Sequence, residues 1–467
     1  ENPAFAWADV SNSGVFDFLY LGTGNATNDQ NNTPVGLYKN VGAKFLKLKN
    51  DSTQTSGGFK GTGFGTNLAG IANAQIRWVD LDNDGKLDLV VAGNDVSNGK
   101  GRLSIYRNRG NYKFENITGT IYNATPLSSP KIEFIDIDNN GLKDFVYTGL
   151  DNQGLGQFKF IGLYKDSAAK SPIGDLLGYK AVALKNNLDV LLTSAGISNV
   201  NLAVGDLNKD LKPDLAILYD DDEGRRKGEV YNNTSDTSNN ITFIKSATIT
   251  LPILSNSTLD LIDYNNDGLL DLALSGTSQA TGQIFRIYQN KWLDSAAKTI
   301  QFVQSNSTVL PFENGQTTWG DINSDGYPDI IFSGSRAGKG KFSAMALADP
   351  STVKVNGILK YNELPTFPFG DYTTMRPSLG DFSSKKVLDL VLVGTEKVTD
   401  PIANTSSVVS SFKILKNVRA LSALVKDSSV GLVSIGASTG SIKSMSTALT
   451  GTSTLESSVR SNSIRGF

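Results

Sequence analysis

The sequence predicts an all-β fold, a seven-bladed β-propeller of four-stranded blades followed by a Ser/Thr-rich C-terminal tail. One phrase recurs seven times: an apolar run ending in Asp, a polar nine-residue turn, and a second apolar run that closes on a small residue. A third and often a fourth run of β-branched and aromatic residues follow each copy. Four strands in each unit of 56 to 71 residues is typical of a propeller blade. A parallel solenoid is the alternative, but its repeats are usually shorter.

The nine-residue turn gives each copy its register. We number the turn from its first Asp, position 1, to its last Asp, position 9, and call the seven turns loops 1 to 7. They span residues 9–17, 80–88, 136–144, 206–214, 263–271, 321–329 and 381–389.

Composition excludes several classes of function. The 467 residues are 39% hydrophobic and 19% charged with a net charge of −2, so there is no basic excess to neutralise nucleic-acid phosphates. No apolar run is long enough to span a membrane. Without Cys or His, disulfides, zinc–thiolate sites and His-dependent catalysis are excluded. The oxygen ligands that remain suit hard cations.

The phrase DLDNDGKLDLVV at residues 80–91 and its six relatives resemble FG-GAP/VCBS repeats, the unit of the integrin α-subunit head and of many secreted propellers. The resemblance covers about residues 3 to 417. It implies the propeller fold and calcium loops. It does not specify a function, because such repeats serve adhesion, carbohydrate binding and enzyme scaffolding alike.

Loop 2 has the richest set of oxygen ligands. Asp80, Asp82, Asp84 and Asp88 stand at positions 1, 3, 5 and 9, and the carbonyl of Lys86 at position 7 is free to join them. Gly85 at position 6 allows the positive φ that turns the chain back. Four carboxylates with a carbonyl and water make a six- or seven-oxygen Ca²⁺ site. An acidic Asx-rich turn without a metal is the alternative.

Four other loops keep most of this pattern, so we expect several structural Ca²⁺ ions. Loop 4 has Leu211 where the others have Gly, which makes it the weakest of the four. The candidate ligands are Asp136, Asp138, Asn140 and Asp144 in loop 3; Asp206, Asn208, Asp210 and Asp214 in loop 4; Asp263, Asn265, Asp267 and Asp271 in loop 5; and Asp321, Asn323, Asp325 and Asp329 in loop 6.

Loops 1 and 7 depart from the pattern. Loop 1 has only two carboxylates, with Ser11 and Ser13 at positions 3 and 5. Loop 7 has Ser383 at position 3 and Lys385 at position 5, where an ammonium would take the place of the cation. Both are predicted to keep the turn and lose the metal.

Eleven Asn-X-Ser/Thr sequons predict a glycoprotein that is secreted or displayed at the cell surface. Calcium loops favour the same location, although a secreted protein without Cys is unusual. The alternative is composition alone, because the chain is rich in Asn, Ser and Thr. The candidate glycosylation sites are Asn25, Asn31, Asn50, Asn116, Asn123, Asn232, Asn240, Asn256, Asn306 and Asn404, together with Asn233.

The repeat stops after Asn417, so the propeller is assigned to residues 1–426 and a C-terminal extension to 427–467. The outer strand of the last blade is expected at residues 420–425 or from another molecule. Because an open sheet edge is a template for strand addition, we expect the segment beyond Val430 to pack on a neighbouring subunit and to support assembly.

Three functions compete. The favoured one is a non-enzymatic extracellular scaffold or adhesion propeller, with a protein partner or self-assembly through a propeller face and the tail. A carbohydrate-binding propeller should repeat an aromatic and polar pocket in every blade, whereas Trp7, Trp78 and Trp319 lie on the innermost strands. A calcium-dependent polysaccharide lyase would need a Lys or Arg base, and none stands out from the repeats.

Overall fold

A computed structural model shows that the chain is built of antiparallel four-stranded sheets. The structure describes residues 4–21, 35–40, 45–47, 68, 70–118, 126–139, 141, 143–154, 156–164, 178–181, 198–221, 223–235, 241–246, 249–291, 300–305, 309–356, 359–365, 367–381, 387–400, 405–417 and 432–439. In these residues no helix is long and apolar enough to cross a membrane.

The strands follow the order of the chain, and each sheet takes four consecutive ones. The first two sheets contain β1 Ala4–Ala8, β2 Asp17–Leu21, β3 Val35–Asn40, β4 Phe45–Lys47, β5 Ile71–Val79, β6 Asp88–Asp95, β7 Gly101–Asn108 and β8 Phe114–Asn116. The next two contain β9 Ser128–Ile135, β10 Asp144–Leu150, β11 Gly156–Tyr164, β12 Gly178–Ala181, β13 Ser198–Gly205, β14 Asp214–Asp220, β15 Arg226–Asn233 and β16 Phe243–Lys245.

The remaining three sheets repeat the same order. They contain β17 Ser255–Ile262, β18 Asp271–Ser278, β19 Gly282–Asn290, β20 Phe302–Ser305, β21 Glu313–Gly320, β22 Asp329–Arg336, β23 Gly340–Asp349, β24 Lys360–Glu363, β25 Asp371–Gly380, β26 Asp389–Asp400, β27 Thr405–Asn417 and β28 Leu432–Thr439. A short helix, α1 Pro350–Asn356, connects β23 to β24.

The second strand of each sheet begins with a continuous apolar run because both of its faces are covered there. Leu89, Val90, Val91 and Ala92 in β6 are fully buried. Such a continuous apolar run is what a strand buried on both faces requires. The first strand of six of the described sheets carries a β-bulge near its start, between Ala72 and Gln75 in β5 for example, which increases the local twist.

The chain divides into two compact units, residues 1–39 with 47–251, and residues 40–46 with 252–467. In the first unit, side chains of β6 and β10 such as Val90 and Phe145 share one buried cluster. In the second unit, Phe312 and Phe332 stack at 4.8 Å between ring centroids within a cluster formed from β18 to β24. Each unit therefore has its own apolar core.

The β-propeller arrangement of blades is confirmed. The expected count of seven blades is not confirmed. The described strands form seven four-stranded sheets, but only six of these sheets count as propeller blades. A closed ring of seven blades stays a prediction, because the two units are each described by themselves.

The outer strand of the last sheet is not where the sequence analysis placed it. The strand is Leu432–Thr439, which pairs with β27 from Asn417 to Ser411. It belongs to the stretch 427–467 that we assigned to an extension, whereas residues 420–425 lie outside the described part of the chain. The run LVSIGAST offers apolar and β-branched residues suited to pairing with the 13-residue β27.

Candidate metal loops

Position 1 folds each loop into a tight turn. The two oxygens of Asp80 accept hydrogen bonds from the backbone N–H groups of Asp84 at 3.1 Å and Gly85 at 2.9 Å. The position-1 carboxylates of loops 1, 4, 5 and 6 accept the same two bonds from positions 5 and 6. A carboxylate that accepts backbone N–H groups stabilises the turn without a metal.

Position 6 requires a left-handed backbone, as predicted from its glycines. Gly85 and Gly268 both have φ of 81°. Leu211 takes the same position in loop 4 with φ of 68°, and its side chain is 77% exposed. Loop 4 therefore keeps the turn with a residue for which this conformation is unfavourable.

Position 9 is buried and connects the loop to the third strand. One oxygen of Asp88 accepts the backbone N–H of Leu81 at 2.9 Å, and the other accepts that of Asn108 at 2.7 Å. The position-9 carboxylates of loops 4, 5 and 6 accept equivalent pairs of bonds. The sequence analysis treated these residues only as metal ligands and missed this second role.

Burial raises the pKa of the Asp88 carboxyl to about 7, although the two backbone N–H groups that it accepts act in the opposite direction. The same cause raises the pKa values of the position-9 carboxyls Asp214, Asp271 and Asp329 to about 7. A divalent cation beside these groups would favour their charged form.

Carboxylate oxygens converge in three of the loops. The groups are Asp80, Asp82 and Asp88; Asp136, Asp138 and Asp144; and Asp263, Asp267 and Asp271, with the oxygens of each group within 4.8 Å of one another. This donor set, with oxygen as its only ligand atom, fits Ca²⁺. Asn140 lies outside the described residues. No such three-carboxylate group is found in loops 4 and 6 of the described chain, where the acidic residues still form the hydrogen-bonded turn.

Two positively charged side chains contact the carboxylates of loop 2. Arg107, on β7, places Nη2 at 2.5 Å from Oδ2 of Asp82, and Lys86 places Nζ at 2.7 Å from Oδ2 of Asp84. Burial raises the pKa of Asp82 and Arg107 acts against it, whereas hydrogen bonds from Lys86 outweigh burial and lower the pKa of Asp84.

Loop 1 has a neutral side chain beside its two carboxylates. The hydroxyl of Tyr112 lies 3.0 Å from Oγ of Ser11 and 3.2 Å from Oδ1 of Asp17. In loop 7, Ser383 and Lys385 lie outside the described residues, while Asp389 accepts the backbone N–H of Asn417 at 2.6 Å. Loop 1 therefore has the predicted turn. That loops 1 and 7 bind no metal stays a prediction.

The last residue of the third strand joins neighbouring blades. Asn108 donates from Nδ2 to the carbonyl of Val10 at 3.0 Å, in the preceding blade. Asn233 donates in the same way to Ile137 at 2.7 Å, and Asn417 to Ile322 at 2.8 Å. All three Asn side chains are buried. The sequence shows this Asn in the repeated third-strand runs, but its contact depends on the packing of two blades.

A second set of amide contacts connects successive loops. The position-4 residues Asn12, Asn83 and Asn266 have φ between 54° and 57°. Asn12 donates to the carbonyl of Gly85 at 2.7 Å, and Asn83 donates to that of Gly141 at 3.2 Å. Asn266 donates to Gly326 in the same way. Each contact runs from one loop to position 6 of the next.

The described sequons differ in exposure. Asn116 and Asn256 are exposed and Asn232 is half-buried. Asn233 is 1% exposed and its amide is used in the contact with Ile137, so a glycan there would disrupt the packing. The other sequons lie outside the described residues. The expected glycosylation stays a prediction, except that Asn233 is unsuitable.

These features define a β-propeller whose blades carry an acidic loop between their first two strands. Two stretches, residues 80–147 and 263–332, match the family described as FG-GAP-like repeat. The chain thus contains FG-GAP-like repeats, and the resemblance inferred from the sequence is confirmed. No curated protein matches the sequence.

Two solved structures show how distant the structural neighbours are. One is a thermostable family-43 glycoside hydrolase, with 11% identity over 64% of this chain and 94% of that chain and a TM-score of 0.32. The other is a fructofuranosidase from Schwanniomyces occidentalis complexed with fructose, with 10% identity over 88% of this chain and 85% of that chain and a TM-score of 0.26. At these scores the likeness carries no argument about function.

Proposed function

We propose that this protein is a non-enzymatic propeller scaffold, stabilised by Ca²⁺ and displayed outside the cell, where it binds a protein partner or further copies of itself. The observation that supports it best is loop 5. There Asp263, Asp267 and Asp271 bring three carboxylate oxygens within 4.8 Å. None of the three forms an ion pair within the described part of the chain. A cation would relieve their mutual repulsion.

The position of the ligands favours a structural cation over a catalytic one. Asp271 is fully buried and accepts backbone N–H groups of Tyr264 and Asn290. Asp263 accepts those of Asp267 and Gly268. Because the same carboxylates form the turn and attach it to the third strand, a cation bound here would stabilise the blade.

A carbohydrate-binding propeller is the second candidate, and the three described tryptophans do not favour it. The ring of Trp7 lies 4.5 Å from that of Phe18, and Trp319 stacks on Phe285 at 6.4 Å. Trp78 packs against the apolar cluster that includes Leu89. Aromatic faces already covered by neighbours are poor platforms for a sugar.

Thermal unfolding with Ca²⁺ and with excess chelator tests the structural cation. We expect chelation to lower the Tm, because an ion that binds only the folded state stabilises it by mass action. Asp263→Asn should reduce this difference, whereas Asp95→Asn, at the far end of β6 from the acidic loop, should leave it unchanged. Identical curves in calcium and chelator would remove the cation from the proposal.

The scaffold function needs a separate measurement. Light scattering and electron microscopy of the purified chain in calcium should show a defined oligomer or filament, or a pull-down from the extracellular fraction should retain a protein that chelator releases. Turnover of a polysaccharide by the purified chain would contradict the non-enzymatic assignment. An intact mass above the 49.9 kDa polypeptide, reduced by amidase, would support a secreted glycoprotein.

A further inference from the structure

The residue before the last in the third strand lies beside the acidic loop of its own blade. The backbone N–H of Asn108 binds Asp88, which fixes the end of β7 against loop 2. The preceding residue, Arg107, contacts Oδ2 of Asp82 at 2.5 Å. We call this position of the third strand the flanking position.

The flanking position is equivalent in blade five. The backbone N–H of Asn290 binds Asp271, and the preceding Gln289 places Nε2 at 3.3 Å from Oδ2 of Asp267. Strand pairing gives the same register, because Arg107 and Gln289 each pair with the second residue of the fourth strand, Glu115 and Val303. One position therefore presents a guanidinium to loop 2 and a neutral amide to loop 5.

The cations of loop 2 compete with a metal ion for the same carboxylates. The side chains of Arg107 and Asp82 are 16% and 8% exposed, so solvent screens their attraction only weakly. Lys86 holds Asp84 in the same loop, which leaves Asp80, Asp82 and Asp88 as the converging group. A Ca²⁺ ion bound to Asp82 would be repelled by the guanidinium.

We propose that the flanking position decides which loops bind Ca²⁺: loop 2, which has the most carboxylates, is neutralised by Arg107 and Lys86, and loop 5, flanked by Gln289, binds the ion. This inference rests on the proposed function and names the residue that regulates its sites. The sequence agrees at the two ends of the repeat: Lys39 and Lys416 occupy the equivalent sequence position in blades one and seven, whose loops have the fewest carboxylates. Lys165, at this position in blade three, lies outside the described residues.

Native mass spectrometry at about 1 mM free calcium, the range of weak extracellular sites, counts the ions bound to each variant. Relative to the wild type, Asp80→Asn should lose no ion and Asp263→Asn should lose one. Arg107→Gln should gain one ion, which the double variant Arg107→Gln/Asp80→Asn should lose again. Gln289→Arg should lose one.

The exchange of Arg107 and Gln289 uses residues that the fold already accepts at this position, and the Tm of each variant in chelator shows that it folds. If Arg107→Gln fails to fold, the ion counts of Gln289→Arg and Asp80→Asn still test the inference. Loss of one ion from Asp80→Asn in the wild-type background would overturn the inference, because loop 2 would then bind calcium beside Arg107. If the wild type binds no calcium, the proposed function is contradicted. In that case an ion gained by Arg107→Gln would still support the role of the flanking position, and an unchanged ion count would refute that role.

Discussion

The side-chain amide of Asn108 donates to the backbone carbonyl of Val10 at 3.0 Å, across 98 residues of sequence and from one blade to the one before it. The same amide donates to the carbonyl of Leu87 at 3.0 Å. Both carbonyls belong to acidic loops. The third strand of one blade thus satisfies backbone groups at the base of two loops.

Removal of this amide should destabilise the protein although it contacts no ligand. Asn108→Ala leaves buried carbonyls unsatisfied, and we expect it to lower the free energy of unfolding by about 1–3 kcal/mol. Urea unfolding measures this change. Gln304→Ala, at an exposed position of β20, is the control and should stay within about 0.5 kcal/mol. Equal effects of the two substitutions would show that the contact contributes nothing.

Leu211 in loop 4 and Gly268 in loop 5 both occupy position 6, so exchanging the two residue types tests the backbone strain at this position. Leu211→Gly should stabilise the protein by up to about 1 kcal/mol, because relief of the left-handed strain exceeds the entropy that glycine adds to the unfolded chain. Gly268→Leu should destabilise it by about 1–2 kcal/mol for the same reason. Both are read from chemical unfolding in chelator, which separates backbone strain from metal binding. A destabilised Leu211→Gly variant would indicate that Leu211 makes a contact that its 77% exposure does not reveal.

The position-9 carboxyls of loops 2, 4, 5 and 6 predict an unusual pH dependence. Their pKa values of about 7 in the folded state exceed the unfolded value of about 3.9, so the folded state binds more protons between these values. In chelator, the free energy of unfolding should therefore fall as the pH rises from 4 to 7 and stay low above it. Because Ca²⁺ needs the deprotonated ligands, the Tm difference between calcium and chelator should be larger at pH 8 than at pH 5.

Scanning calorimetry at the two pH values tests this dependence. A Tm difference that is the same at pH 5 and pH 8 would contradict it. Asp271→Asn removes one of the titrating groups and should make the chelator curve flatter with pH. Asp95→Asn, whose carboxyl has a pKa lowered by hydrogen bonds from Ser97, serves as the matched control.

Two truncations separate the last strand from the residues after it. Removal of residues 428–467 takes away β28 and exposes the edge of β27, so this variant should lose stability or aggregate. Removal of 440–467 keeps β28 and should leave the Tm unchanged. The sequence analysis expected the whole segment beyond Val430 to pack on a neighbouring subunit, but residues 432–439 pair with β27 of their own chain. If the remainder, 440–467, supports assembly, the second variant is a stable monomer. Assembly of the shorter deletion as in the full chain would contradict that expectation.

The sequence predicts the strands and the loops well because both are local. An apolar run such as residues 89–92 and an Asp-rich turn with Gly85 specify a strand and a turn without reference to other blades. Fourth strands such as Phe114–Asn116 and Phe243–Lys245 lie within the fourth apolar runs of their copies, YKFENI at 112–117 and ITFIKS at 241–246.

The sequence is less informative where a choice depends on distant residues. Residues 420–425 and 432–439 are both apolar enough to pair with β27, and periodicity alone could not choose between them. The carboxylate count ranked loop 2 first as a metal site. The contact of Arg107 with Asp82 depends on which side chains of β7 face the loop, and this follows from strand register rather than from composition.

The contacts from Asn12 to Gly85 and from Asn83 to Gly141 have a consequence for how such a chain can be rearranged. Donor and acceptor belong to different copies of the repeat, so a single copy cut at its sequence boundaries keeps half of one contact and half of another. Duplication of the second copy beside itself supplies a partner for both of its halves, whereas transplantation of that copy into an unrelated protein does not. Such a copy is therefore complete only beside another copy of the repeat.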